Sequence, residues 1–95
     1  MVLLVVMMMR NDAYGVSIHQ AYVEHTGHQL SLSAVHTVLR RLEKKGLISS
    51  EMGGATTDRG GRRKRLYSVT AYGQKVAAEQ EAQRQKIWRL IPKWD

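Results

Sequence analysis

The segment LSLSAVHTVLRRLEKKG, residues 30–46, has little freedom in how it can fold. Ser31 is a good N-cap, because its hydroxyl can accept from an orphan amide of a first helical turn. Leu30 before it and Val35 after it occupy the two positions of a hydrophobic staple. Leu32, Val35, Val38, Leu39 and Leu42 recur at three- and four-residue spacing and form one apolar stripe. Lys44 and Lys45 fall in the last turn, where cations are favoured, and Gly46 supplies the stop. The pattern predicts a helix over residues 32–45. At about 100° per residue, its opposite face is centred on Ser33, Thr37, Arg40 and Lys44, with His36 and Arg41 on the two flanks.

The rest of the chain arranges itself around that helix. VLLVVMMM, residues 2–9, is far too short to span a bilayer. It lacks the basic flank and the small-residue cleavage site of a secretory signal. It predicts a helix over about residues 3–10, apolar all round and therefore buried. Asn11 and Asp12 break this helix and can cap the next one. Tyr14, Ile18, Ala21 and Tyr22 lie on one face of a second helix, roughly residues 13–25, with Gly27 as its stop. LISSEM at 47–52 and RKRLYSV at 63–69 read as two strands around a glycine-rich polar loop. Thr70 is an N-cap for a last helix over about 71–91, ended by Pro92. The expected fold is mainly α with a β-hairpin wing. It is a winged helix-turn-helix over residues 1–70, followed by a C-terminal dimerisation helix in residues 71–95.

Charge narrows the function. The chain carries +7, of which RGGRRKR at 59–65 holds +5 and residues 33–45 hold +3. A basic domain of this kind suits nucleic acid, an anionic membrane surface or an acidic partner. On a helix-turn-helix the two clusters occupy adjacent parts of one motif, which favours double-stranded DNA as partner over a membrane. The N-terminal part of the 32–45 helix then offers Ser33, His36, Thr37 and Arg40 to base edges, while Arg41, Lys44 and Lys45 hold phosphates. Arg59, Arg62, Arg63, Lys64 and Arg65 can follow the backbone or enter the minor groove, and Gly60 and Gly61 let the tip bend close to it. The plainer alternatives are a solvated loop and an ordinary solvent face.

Other chemistries find little support. There is no cysteine, which excludes disulfide and thiol chemistry and fits a reducing compartment. No phosphate-cradling glycine loop, carboxylate pair or Ser/His/Asp set stands out, so neither an enzyme nor a cofactor is expected. His25 and His28 lack a third ligand, so no metal is expected. With no targeting signal, the expected location is the cytoplasm. The last helix has a sparse seam, and Ile87, Trp88, Leu90 and Ile91 crowd its end. Val76 and these four residues are the expected dimer interface across a two-fold axis; the alternative is packing back on the first helix. The second functional reading is a winged-helix protein-interaction module without sequence-specific DNA binding.

AYG at 13–15, LSLSAVHTVLRRLEKKGLIS at 30–49, GGRRKRLYSVT at 60–70 and Gly73 together resemble the PadR family of bacterial transcriptional regulators. The resemblance covers about residues 2–75 and points to the short type, with one helix after the wing. It implies a dimer that binds palindromic operator DNA, usually as a repressor, and that dimerises largely through the C-terminal helix. In some relatives it also implies a small aromatic or drug-like effector at or near the dimer interface, where Trp88 would be the lining aromatic. The sequence departs from the family pattern in having His36 where a tyrosine is usual and Val69 in place of leucine.

Overall fold

A computed structural model describes residues 1–10, 12–53 and 64–92. The helix expected within residues 30–46 is present as α3, Leu32–Lys44. The Ser31 hydroxyl accepts from the Ala34 amide at 3.1 Å, and Leu30 and Val35 both pack into the core, as a staple requires. At the other end Gly46 takes φ 79°, a left-handed conformation that costs glycine little. The Gly46 amide donates to the Glu43 carbonyl and the Leu47 amide to the Leu42 carbonyl, each at 3.0 Å. This paired arrangement satisfies the orphan carbonyls of the last turn and turns the chain sharply into the hairpin. Val35 and Leu39 are fully buried, whereas Leu32 in the first turn is exposed, off the inner edge of the stripe.

α1, Val2–Met9, touches α2, α3, β2 and α4, which accounts for its composition: Val2, Leu3, Val5 and Val6 are buried among them. Its sequence suggested burial all round, but one side is left uncovered. Leu4 and Met8, one turn apart, face away from the core with Met1 and are exposed. α2, Gly15–Thr26, starts later than its periodicity indicated. Its N-cap is Tyr14, whose amide donates to the Ser17 hydroxyl at 2.9 Å. Asp12, expected to cap it, lies ahead of the cap at φ 59° and contributes only a carbonyl, to which Ser17 donates at 2.7 Å. Asn11 lies outside the described residues. Gly27 closes α2 at φ 71°, its amide donating to the Val23 carbonyl. His19 Nε2 and the Leu30 carbonyl, 2.6 Å apart, tie α2 to the entry of α3.

β1, Ile48–Met52, and β2, Arg65–Val69, pair antiparallel with Ile48 opposite Val69 and Met52 opposite Arg65. β1 begins one residue later than expected, because the Leu47 amide closes α3. The start expected for the second strand, residue 63, is outside the described residues, as is the glycine-rich stretch at 54–62. On the far side of β2 the Tyr67 amide donates to the Ala13 carbonyl at 2.8 Å, which fixes the hairpin to the segment entering α2. α4, Ala71–Leu90, is capped by Thr70, whose hydroxyl accepts from the Gly73 amide at 2.9 Å. Its first turns pack on α1 and β2 through Gly73, Val76 and Ala77. Beyond Glu81 every described residue is exposed. Helix-favouring residues and an ion pair between Arg84 and Glu81 at 2.7 Å sustain that outer stretch. The domain measures 57 × 28 × 20 Å, its long axis lengthened by a helix of about 30 Å.

Candidate nucleic-acid interface

The outward face of α3 is set by burial of the inward one. With Val35 and Leu39 fixed in the core, Ser33, Thr37, Arg40, Arg41 and Lys44 all stand exposed. The hydroxyls in the first two turns are already engaged. Thr37 Oγ1 donates to the Ser33 carbonyl at 3.0 Å, and Ser33 Oγ lies 3.2 Å from Ser31 Oγ. The cations lie toward the C-terminal half, where they also complement the helix dipole.

His36 is half-buried and leans on the start of α2. Its ring occupies the place where a side chain on Gly15 would be: a Cβ there would lie 2.8 Å from His36 Nε2 and closer still to Cε1. The Tyr14-Gly15 pair is thus explained by close contact between α2 and α3. The sequence marks both positions but does not link them, because the two lie 21 residues apart.

The wing root is held by contacts that the sequence does not disclose. Lys64 Nζ stands 4.1 Å from the centroid of the Tyr14 ring, a cation–π contact. Arg65 Nη1 donates to Ser50 Oγ at 3.0 Å, and Ser50 Oγ donates to Glu43 Oε2 at 2.5 Å. Ser50 lies diagonally across the hairpin from Arg65, within reach of a long side chain. Glu43, the single acidic residue of α3, therefore connects through Ser50 to a cation of the wing. Lys64 and Arg65 are exposed at the start of β2; Arg59, Arg62 and Arg63 lie outside the described residues. Burial pushes the Tyr67 hydroxyl above the ordinary tyrosine range, and the Arg65 charge works against it.

Of the residues expected at a dimer interface, Val76 is half-buried against the core of its own domain. Ile87, Trp88, Leu90 and Ile91 are exposed, at 61%, 69%, 74% and 41% of their surface. The exposure of Leu4 and Met8 in α1 has no signal in the sequence, because an all-apolar run gives no sign of which side lacks a neighbour. Among the described residues no three potential metal ligands come together, and no helix is long and apolar enough to cross a membrane.

Three helices, a paired hairpin leaving the end of the third, and a helix after it define a winged helix-turn-helix protein. The sequence matches the Transcriptional regulator PadR-like family over residues 3–79, and the chain belongs to that family. A PadR family transcriptional regulator from Eggerthella lenta is 30% identical, with 93% of this chain and 74% of that one covered and a TM-score of 0.75. A PadR family transcription regulator from Clostridium difficile shares the fold at 24% identity and a TM-score of 0.73, covering 94% of this chain and 90% of its own. A PadR-like transcription factor from Bacteroides fragilis does so at 21% identity and a TM-score of 0.77, covering 94% and 81%. None of the curated proteins compared with the sequence matches it.

Proposed function

We propose that the chain is a dimeric, sequence-specific DNA-binding repressor that acts in the cytoplasm on a palindromic operator. The observation that carries this reading is the outward face of α3, where Ser33, Thr37, Arg40, Arg41 and Lys44 stand exposed opposite the buried Val35 and Leu39. A helix with small side chains at its N-terminal end and cations behind them suits base edges first and phosphates second. His36 contributes at the flank, within the limits of its seat on Gly15. The exposed wing root, Lys64 and Arg65, adjoins a stretch whose sequence supplies Arg59, Arg62 and Arg63 for the backbone or the minor groove. The exposed apolar end of α4 supports the dimer: covering Ile87, Trp88, Leu90 and Ile91 against a second copy removes apolar surface from water, at less than the roughly 1.5–3 kcal/mol of a fully exposed side chain each. Trp88 in that interface also offers an aromatic wall to a small aromatic effector.

Selection of bound sites from random duplex DNA tests the reading. A two-fold symmetric motif with half-sites about one helical turn apart is the expected result. Binding to a protein partner that is insensitive to salt, with no duplex selected at low ionic strength, would instead make the fold a protein-interaction module.

A further inference from the structure

Thr37 presents two different groups at its Cβ, a hydroxyl and a methyl. On α3 the hydroxyl is turned back along the helix, where Oγ1 donates to the Ser33 carbonyl at 3.0 Å. That bond uses the one proton the hydroxyl has, and it fixes the side chain in a staggered rotamer. With Oγ1 engaged by the preceding turn, the γ-methyl is the group of this side chain left without a partner. Thr37 is exposed to solvent in the first half of α3, so this methyl is the part of it free to meet a partner.

We propose that Thr37 reads a thymine through this methyl rather than through its hydroxyl. The inference rests on the proposed function, in which α3 enters the major groove. There, thymine is the one base with an apolar group on its edge, the 5-methyl, and a threonine methyl is a fitting contact for it. The hydroxyl has only lone pairs left to offer and is held against the helix backbone. The neighbouring Ser33 Oγ lies 3.2 Å from the capping Ser31 Oγ and shares a hydrogen bond with it. On Thr37 apolar contact is then the interaction left available, and hydrogen-bonded reading falls to the residues behind, Arg40 first.

The test compares the full chain with Thr37→Val, which keeps a methyl and drops the hydroxyl, and with Thr37→Ser, which does the reverse. Sites are selected from random duplexes, and each thymine of the resulting motif is then replaced by deoxyuridine, which removes the 5-methyl alone. At one position per half-site the wild-type chain should lose affinity about fourfold, the worth of one buried methyl. Thr37→Val should select the same motif and keep that loss, whereas Thr37→Ser should bind thymine and uracil equally there. If Thr37→Ser keeps the motif and Thr37→Val loses it, or if no thymine methyl matters to the wild-type chain, the inference is overturned while DNA binding stands. If no motif emerges from random duplexes at all, the DNA reading falls and takes the inference with it.

Discussion

Gly73 in the first turn of α4 lies against the carbonyl of Leu47 with no space for a side chain. A Cβ at Gly73 would overlap that oxygen and would lie 2.9 Å from both the Leu47 carbonyl carbon and Val69 Cγ1. The obstacle is backbone, which cannot move aside like a side-chain tip. The same carbonyl accepts from the Thr70 amide at 3.1 Å, and the single proton of the Thr70 hydroxyl is shared between it, at 3.1 Å, and the Gly46 carbonyl, at 2.7 Å. Gly73→Ala should destabilise the domain by about 1–3 kcal/mol, the usual cost of overpacking. Urea unfolding measures it, and a variant as stable as the wild type would mean that α4 does not seat here.

The contact of His36 with Gly15 makes a second prediction, for a pair. Gly15→Ala forces the imidazole out of its place and should lower stability by about 1–3 kcal/mol. With His36→Ala in the background the obstacle is gone, and alanine in a helix is otherwise favourable by up to about 1 kcal/mol. The double-mutant cycle should therefore show a coupling of at least about 0.5 kcal/mol; additive effects would place the ring elsewhere.

Ser50 joins α3 to the wing, receiving from Arg65 and donating to Glu43. Ser50→Ala should cost about 1.5–3 kcal/mol or less, the range for hydrogen bonds to charged groups, reduced by the exposure of Arg65. In a Glu43→Ala background the same substitution should cost clearly less. An equal cost in both backgrounds would show that the chain of contacts is not formed in solution.

The apolar end of α4 predicts an oligomeric state. Ile87→Glu with Leu90→Glu should give monomers in sedimentation, and because both side chains are exposed within the single chain, its thermal unfolding at high dilution should be little changed. Dimers that persist would place the interface elsewhere, for instance on Leu4 and Met8 of α1.

Tyr67 predicts alkaline behaviour. Its hydroxyl is raised above the tyrosine value of 10.0 by burial, so the folded chain holds a proton that the unfolded chain gives up sooner. Stability linked to Tyr67 is thus fully present below about pH 10 and falls as the pH rises through the raised value. Tyr67→Phe should flatten the decline of the melting temperature above pH 10, and parallel curves for the two proteins would contradict the burial.

Local signals in the sequence carry most of the fold. Ser31, Gly46 and Thr70 each mark a boundary through chemistry confined to one turn, and the structure places the caps there. Leu32–Lys44 differs by one residue from its expected span, and α4 likewise by one. What sequence spacing does not supply is any relationship between distant segments. Ala13 falls at the start of a helix by periodicity, yet its carbonyl bonds to the Tyr67 amide. Glu43 is a lone acid among cations until Ser50 and Arg65 are brought to it. Val76 shares a seam with Ile87 and Leu90, but only Val76 lies near enough to α1 to be covered by its own domain. The outward face of α3 is legible because burial of an amphipathic helix decides it. The orientation of Thr37 Oγ1 is not, since threonine has more than one rotamer open to it on a helix.

Thr70 fastens the root of α4 to the turn that ends α3 by hydrogen bonds from both its amide and its hydroxyl. A rod of twenty residues anchored in this way cannot swing freely about its base. The Gly46-Leu47 corner is therefore common to the end of α3 and the start of α4, and the two helices meet there through hydrogen bonds rather than through a free hinge.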